Sequence, residues 1–181
     1  AALCPSVPGL ESFLRRADVL DDVHAERFEA ARFAAFGLGG AELPVAAVSR
    51  FGEADGGTAH VGESCWLRAD PVHLRIDTHT ARLFGDHVLG LDGDEARALV
   101  QRLNEHFADD GLRFEAPVPS RWYVAVHENV RLHTHPPYRV TGRNINGFLP
   151  SGEDAERWRG WMNEAQMLLH DAPANQERER R

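Results

Sequence analysis

Residues 92–111 read DGDEARALVQRLNEHFADDG and residues 121–127 read RWYVAVH. The first stretch predicts a helix with both ends marked. Asp92 and Glu95 stand at capping-box spacing, Ala96, Leu99, Val100, Leu103 and Phe107 fall on one side of a 3.6-residue period, and Gly111 supplies the stop. The second stretch is rich in aromatic and β-branched residues and apolar on both alternating faces, which predicts a strand in the middle of a sheet. A helix with a single apolar stripe beside such a strand predicts a sheet covered by helices.

Outward from these two segments, the period is two over much of residues 43–126. Runs at 45–51, 65–69, 73–78, 81–84 and 122–127 read as strands joined by connections short enough for hairpins. Residues 52–62, with Gly56 and Gly57, read as an exposed hairpin loop, since no helix follows to complete a phosphate-binding fingerprint. Toward the N-terminus, Leu10, Phe13, Leu14 and Ala17 recur at helical spacing, and a second helix over 23–36 is capped by Asp22 and stopped by Gly37. A last helix begins after Leu149 and Pro150, with Ser151 as N-cap and Asp154 three residues on, and runs to His170 ahead of Pro173. Residues 176–181 read as a solvated, frayed charge run. The predicted architecture is α+β: one domain over 1–175, a largely antiparallel sheet, helices at both ends and one inserted helix.

The chain has 181 residues, 43% hydrophobic and 27% charged, enough to bury roughly 70% of its unfolded surface without disulfides or structural metal. Cys4 and Cys65 need no special role. With 28 acidic against 20 basic side chains and a net charge of -8, a nucleic-acid or anionic-membrane partner is not expected, because phosphate contacts require an electropositive face. All the basic residues are Arg and none is Lys, so a lysine Schiff base and a P-loop lysine are excluded. Arginine suits planar, two-point capture of carboxylate or phosphate. No run approaches the ~20 apolar residues of a membrane span and no signal peptide is evident, so a cytoplasmic location is expected. The start at Ala1, without methionine, suggests a trimmed chain.

Three constellations bear on chemistry. On the last helix, Trp158, Trp161, Ala165, Leu168 and Leu169 form the core stripe, while Asn163, Gln166, Met167 and His170 form an adjacent mixed stripe at i, i+3, i+4 and i+7. That stripe reads either as a small-molecule pocket or as amides satisfying loop carbonyls with a histidine at the helix C-terminus. His73, Arg75, Asp77 and His79 alternate along a strand, and His133 and His135 form a second pair, but the spacing suits a solvated sheet face better than a metal site, and no metal or other cofactor is expected. Finally, Arg68 and Arg75 on neighbouring strands, with Arg143 and the chain start of the last helix, would hold an anionic small molecule if they converge. The alternative is ordinary pairing with Asp70, Asp77, Glu153 or Asp154.

The motifs Trp66-Leu67-Arg68-Ala69-Asp70-Pro71-Val72-His73-Leu74, Leu103-Asn104-Glu105-His106-Phe107, Arg121-Trp122-Tyr123, Leu149-Pro150-Ser151-Gly152 and the run from Trp161 to His170 resemble the RpfE-type bacterial proteins, named for regulation of pathogenicity factors. The resemblance covers about residues 43–175. It implies a regulatory, small-molecule-binding protein with Arg68, His73, Arg75, Arg143, Asn163, Gln166 and His170 as ligand contacts, and a further segment beyond Asn175. That family often carries the label of a cofactor-independent phosphoglycerate mutase. The chain shows neither an Asp-Ser nucleophile with clustered metal ligands nor an Arg-His-Gly nucleophile motif, so the residues speak for the regulatory reading. The alternatives are a phosphate-handling enzyme, in which the arginines clamp the anion and His73 transfers a proton or phosphoryl group, and a module docking a protein partner through Trp158 and Trp161.

Overall fold

The computed structural model describes residues 28–39, 43–53, 64–77 and 80–179. The chain divides into two compact units, Ala1–Leu43 and Pro44–Arg181. In the first, helix α1 is Phe28–Ala35, and Gly37, with φ of 71°, ends it where the sequence places the stop. The expected helix around Leu10 to Ala17, the Asp22 cap and the glycine-rich loop at Gly56 and Gly57 lie outside the described residues.

The second unit runs α2 (Val45–Glu53), β1 (Cys65–Arg68), β2 (His73–Asp77), β3 (Thr80–Phe84), α3 (Asp86–Leu89), α4 (Gly93–His106), β4 (Arg113–Val118), β5 (Arg121–Val126), α5 (Pro137–Val140), a 3-10 turn (Ile145–Phe148), α6 (Ala155–His170) and α7 (Pro173–Glu179). The fold is α+β, with the strands in two antiparallel sheets instead of one: β1-β5-β4 and the hairpin β2-β3. Among the described residues no helix is long and apolar enough to cross a membrane.

Strand β5 is central, and its residues from Trp122 to Val126 are all buried. Trp122, Val124 and Val126 join a core with Ala96, Leu99, Leu103 and Phe107 of the α4 segment and Trp158 of α6. On the opposite face Tyr123 and Ala125 pack with Trp66 and with Ala46 of α2. Both alternating faces of β5 are therefore covered from Trp122 to Val126, which is why that stretch carries no charged side chain. The α4 cap forms as spaced: the Asp92 carboxylate accepts the N–H groups of Asp94 and Glu95 at 2.9 and 2.8 Å, and Glu95 accepts that of Asp92 at 3.2 Å.

The differences from expectation have local causes. Residues 45–51 form a helix, not a strand. Val45 and Val48 favour strand, but Ala46, Arg50 and Glu53 are spaced i, i+4, i+7, and this face binds the sheet mainly by polar contacts that apolar periodicity does not register. Strand β4 was hidden by Pro117. It lies at a sheet edge with its register shifted between Glu115 and Val118, where a proline costs no ladder bond. Asn104 of α4 covers part of that edge, accepting the Phe114 N–H at 2.7 Å and donating to its carbonyl at 3.0 Å. Helix α6 starts at Ala155 and not after Ser151, because Ser151 forms a backbone pair with His133 at 2.7 and 3.0 Å. Residues 173–179 are helical where a frayed tail was expected from Gln176, and Arg178 pairs with the capping Glu95 at 3.0 Å.

Candidate functional site

The arginines fall into two classes by what holds them. On the α2 side of the three-stranded sheet every named guanidinium meets a carboxylate. Arg50 grips Glu115 at 2.6 and 3.1 Å and lies 3.9 Å over the Trp66 ring. Arg113 shares Glu115 at 3.1 Å, and Arg121 meets Glu53 at 2.5 Å. Arg68 donates to both oxygens of Asp70, at 2.7 and 2.8 Å, while lying over the Tyr123 ring at 5.3 Å. Asp70 also accepts the Trp122 N–H at 3.2 Å. These pairs pin α2 and the end of β1 to the sheet, and they commit guanidinium N–H groups to protein carboxylates.

Tyr123 belongs to the same network. Its hydroxyl donates to Glu53 at 2.9 Å, and burial together with that acceptor pushes its pKa up to about 12. Folding thus favours the neutral phenol, so the unfolded chain loses the proton first as pH rises past about 10. Stability contributed by this group is complete below pH 10 and is lost through the folded value near 12. Alkaline denaturation should show a downward stability slope above pH 10 that Tyr123→Phe reduces. The same substitution should cost about 1 kcal/mol at neutral pH for the lost hydrogen bond. An unchanged alkaline slope in Tyr123→Phe would assign the effect elsewhere.

The hairpin holds the other class. Arg75 and Arg82 are direct cross-strand partners on one face, next to the pair His73 and Phe84. The segment after α5 joins β3 through the backbone. Gly142 N–H donates to the Leu83 carbonyl at 2.8 Å, Leu83 N–H to that of Arg143 at 3.4 Å, and Arg82 bridges to Asn144. Arg75, Arg82 and Arg143 are exposed, and among the described residues none has a carboxylate partner. Arg75 lies over Phe84 at 5.5 Å and Arg143 over Phe148 at 5.9 Å, close to the outer limit for a cation over a ring. Two like charges directly opposite on a sheet repel each other. Arg75 and Arg82 stand directly opposite each other without a carboxylate, and Arg143 on the neighbouring segment has none either among the described residues.

Of the residues expected at a ligand site, His73 and Arg75 share a face of the hairpin, and Arg143 lies in the segment whose backbone bonds to β3. The structure separates Arg68, which sits in the other sheet and is held by Asp70, so the expected Arg68–Arg75 adjacency is not formed. Asn163, Gln166 and His170 are exposed on α6, as is Met167 at 70%. A shallow groove of about 490 Å³ lies instead beside α4 and β4, lined by Arg97, Val100, Gln101, Asn104, Glu105 and Ala116. His79 and the side chain of Asp77 lie outside the described residues. Among those described, no group of three or more His, Cys, Asp or Glu could hold a metal ion. Arg82 was missed from the sequence. The signal was available in the hairpin register, since pairing Asp77 with Thr80 sets Arg82 opposite Arg75.

Residues 64–175, well over half of the chain, match the family model of the 2,3-bisphosphoglycerate-independent phosphoglycerate mutases. The chain is similar to curated proteins of that name from Methanosarcina mazei, at 27% identity over 117 residues, and Methanosarcina acetivorans, at 26% over 117 residues. A third, from Methanosarcina barkeri, is 25% identical over 114 residues. Each of the first two alignments covers 62% of this chain and 30% of the relative, so the chain spans less than a third of the length of the curated relatives it matches. No solved structure gives a significant match. The nucleophile and metal-ligand patterns sought in the sequence belong to a whole enzyme, and a segment matching under a third of one is not required to carry them. The RpfE-type regulatory reading gains no support from these similarities. The chain belongs to the 2,3-bisphosphoglycerate-independent phosphoglycerate mutase family.

Proposed function

We propose that this chain is the anion-holding part of a phosphoglycerate mutase-like enzyme, and that the hairpin face receives the phosphate or carboxylate of a small phosphorylated acid. The observation that carries the reading is the set of three exposed guanidiniums, Arg75, Arg82 and Arg143, without carboxylate partners among the described residues. Family membership supports the substrate class. A planar guanidinium offers two parallel N–H donors to a phosphate, each bond strengthened by charge. Arg75 and Arg82, paired across the hairpin, would hold one anionic group, with Arg143 beside them. His73, on the same face, is placed to donate to the bound group. These residues bind and orient; the step of phosphoryl transfer is not assigned to any of them.

Titration calorimetry with phosphoglycerate, and with glycerate as the control lacking phosphate, tests the proposal. Wild type should bind phosphoglycerate saturably and glycerate far more weakly. Arg82→Ala should lower the affinity at least tenfold with no change in melting temperature, since an exposed side chain away from the core contributes little to stability. Arg68→Ala should leave affinity within about twofold, because its charge is already committed to Asp70. Equal binding by wild type and Arg82→Ala would sink the assignment. The RpfE-type motifs allow the same site to serve a regulatory protein, holding a phosphorylated effector without converting it; phosphoglycerate turnover by the whole protein would decide against that use.

A further inference from the structure

Arg75 and Arg143 lie over aromatic rings and have no carboxylate partner among the described residues, whereas the ring-stacked arginines of the three-stranded sheet are also held by carboxylates. Phe84 carries the Arg75 guanidinium at 5.5 Å and the His73 ring at 6.4 Å. Phe148 carries Arg143 at 5.9 Å and meets His135 edge-on at 5.3 Å, with the ring planes at 88°. Phe84 ends β3 and Phe148 ends the 3-10 turn, and the turn packs against β3. A carboxylate that oriented these arginines would neutralise them and occupy their N–H groups. A ring orients the guanidinium through its quadrupole and leaves every N–H free for a ligand.

We propose that Phe84 and Phe148 are positioning residues for the anion site: each holds one arginine at full charge in a ligand-ready direction, and Phe148 also brings His135 to the site's edge. This rests on the anion-binding reading above. Neither ring is proposed to touch the ligand. The contribution is pre-organisation, since an exposed arginine loses less rotamer freedom on binding when a ring already restricts it.

The test compares Phe84→Leu, Phe148→Leu and Phe148→Tyr with wild type, using phosphoglycerate as the probe in calorimetry and following the arginine side-chain N–H signals by NMR. Each leucine variant should bind five- to tenfold more weakly. Phe148→Tyr, which keeps the ring, should bind within twofold of wild type. In Phe148→Leu the Arg143 side-chain signal should lose its ring-current shift while the backbone spectrum is retained. Should a leucine variant fail to fold, methionine at the same position is read in its place. Wild-type affinity in both leucine variants, with Arg82→Ala still weakened, would overturn the positioning role and leave the anion site standing. Absence of binding by wild type would overturn both.

Discussion

Phe107→Ala should destabilise the second unit by about 3–5 kcal/mol, the range for emptying a large aromatic site in a packed core. Phe107 is 0% exposed and closes α4 at its C-terminal end. Its ring lies 5.8 Å from that of Phe114 and takes His106 edge-on at 4.7 Å. It belongs to the cluster that joins Leu103 to Trp122 and Trp158, so the cavity would open between α4, β5 and α6. Its amide also donates to the Leu103 carbonyl, and its own carbonyl accepts from Leu112 beyond Gly111, which fixes the surrounding backbone and limits collapse into the void. Urea denaturation should show a lower midpoint with little change in slope. A loss under about 1 kcal/mol would mean that this cluster is not the main core.

Gly152→Ala is the second large effect. Gly152 has φ of 112°, outside the range that L side chains adopt readily, and a Cβ there would stand 2.5 Å from the carbonyl oxygen of Arg131. That carbonyl belongs to backbone, not to a side chain that can swing away. The neighbouring pairing of Ser151 with His133, and of Asp154 with the Arg131 N–H at 2.8 Å, holds both strands of chain in place. The backbone strain alone is worth roughly 1–3 kcal/mol, and the clash adds to it. The loss should appear as a lower melting temperature together with faster amide exchange at His133 and Ser151. Gly147→Ala is the control: a Cβ there meets nothing within 4 Å, and its stability should change by less than about 0.5 kcal/mol. Equal stability of Gly152→Ala and Gly147→Ala would show that the two chain segments part freely.

The candidate site was only partly legible in the sequence. Residue type and alternation single out His73 and Arg75, which share a face of the hairpin, and Arg143, whose segment bonds to β3 through the backbone. The polar stripe of α6 follows from helical spacing, yet Asn163, Gln166 and His170 are exposed, while Trp158, Trp161, Ala165, Leu168 and Leu169 face the core. Spacing states which residues share a face of one helix; it does not state whether another element arrives to make a pocket of that face. Arg68 shows the same limit. Its type suited an anion site, but Asp70, two residues on, takes its charge.

Local sequence by itself determined the elements whose signals are short in range: the α4 cap and stripe, the glycine stop at Gly37, and the two-sided apolar character that makes β5 central; α4 itself ends at His106, ahead of the turn that holds Gly111. These follow from hydrogen-bond geometry and periodicity within a few residues. Tertiary structure alone decided that residues 45–53 are helical, that the strands form two sheets, and which arginines keep their charge. Helix α2 is stabilised by Glu115, Tyr123 and Arg121, all more than sixty residues away, and these partners outweigh the local preference of its valines for strand. Whether a carboxylate holds an arginine is, for Arg50 and Arg121, settled only when distant segments meet.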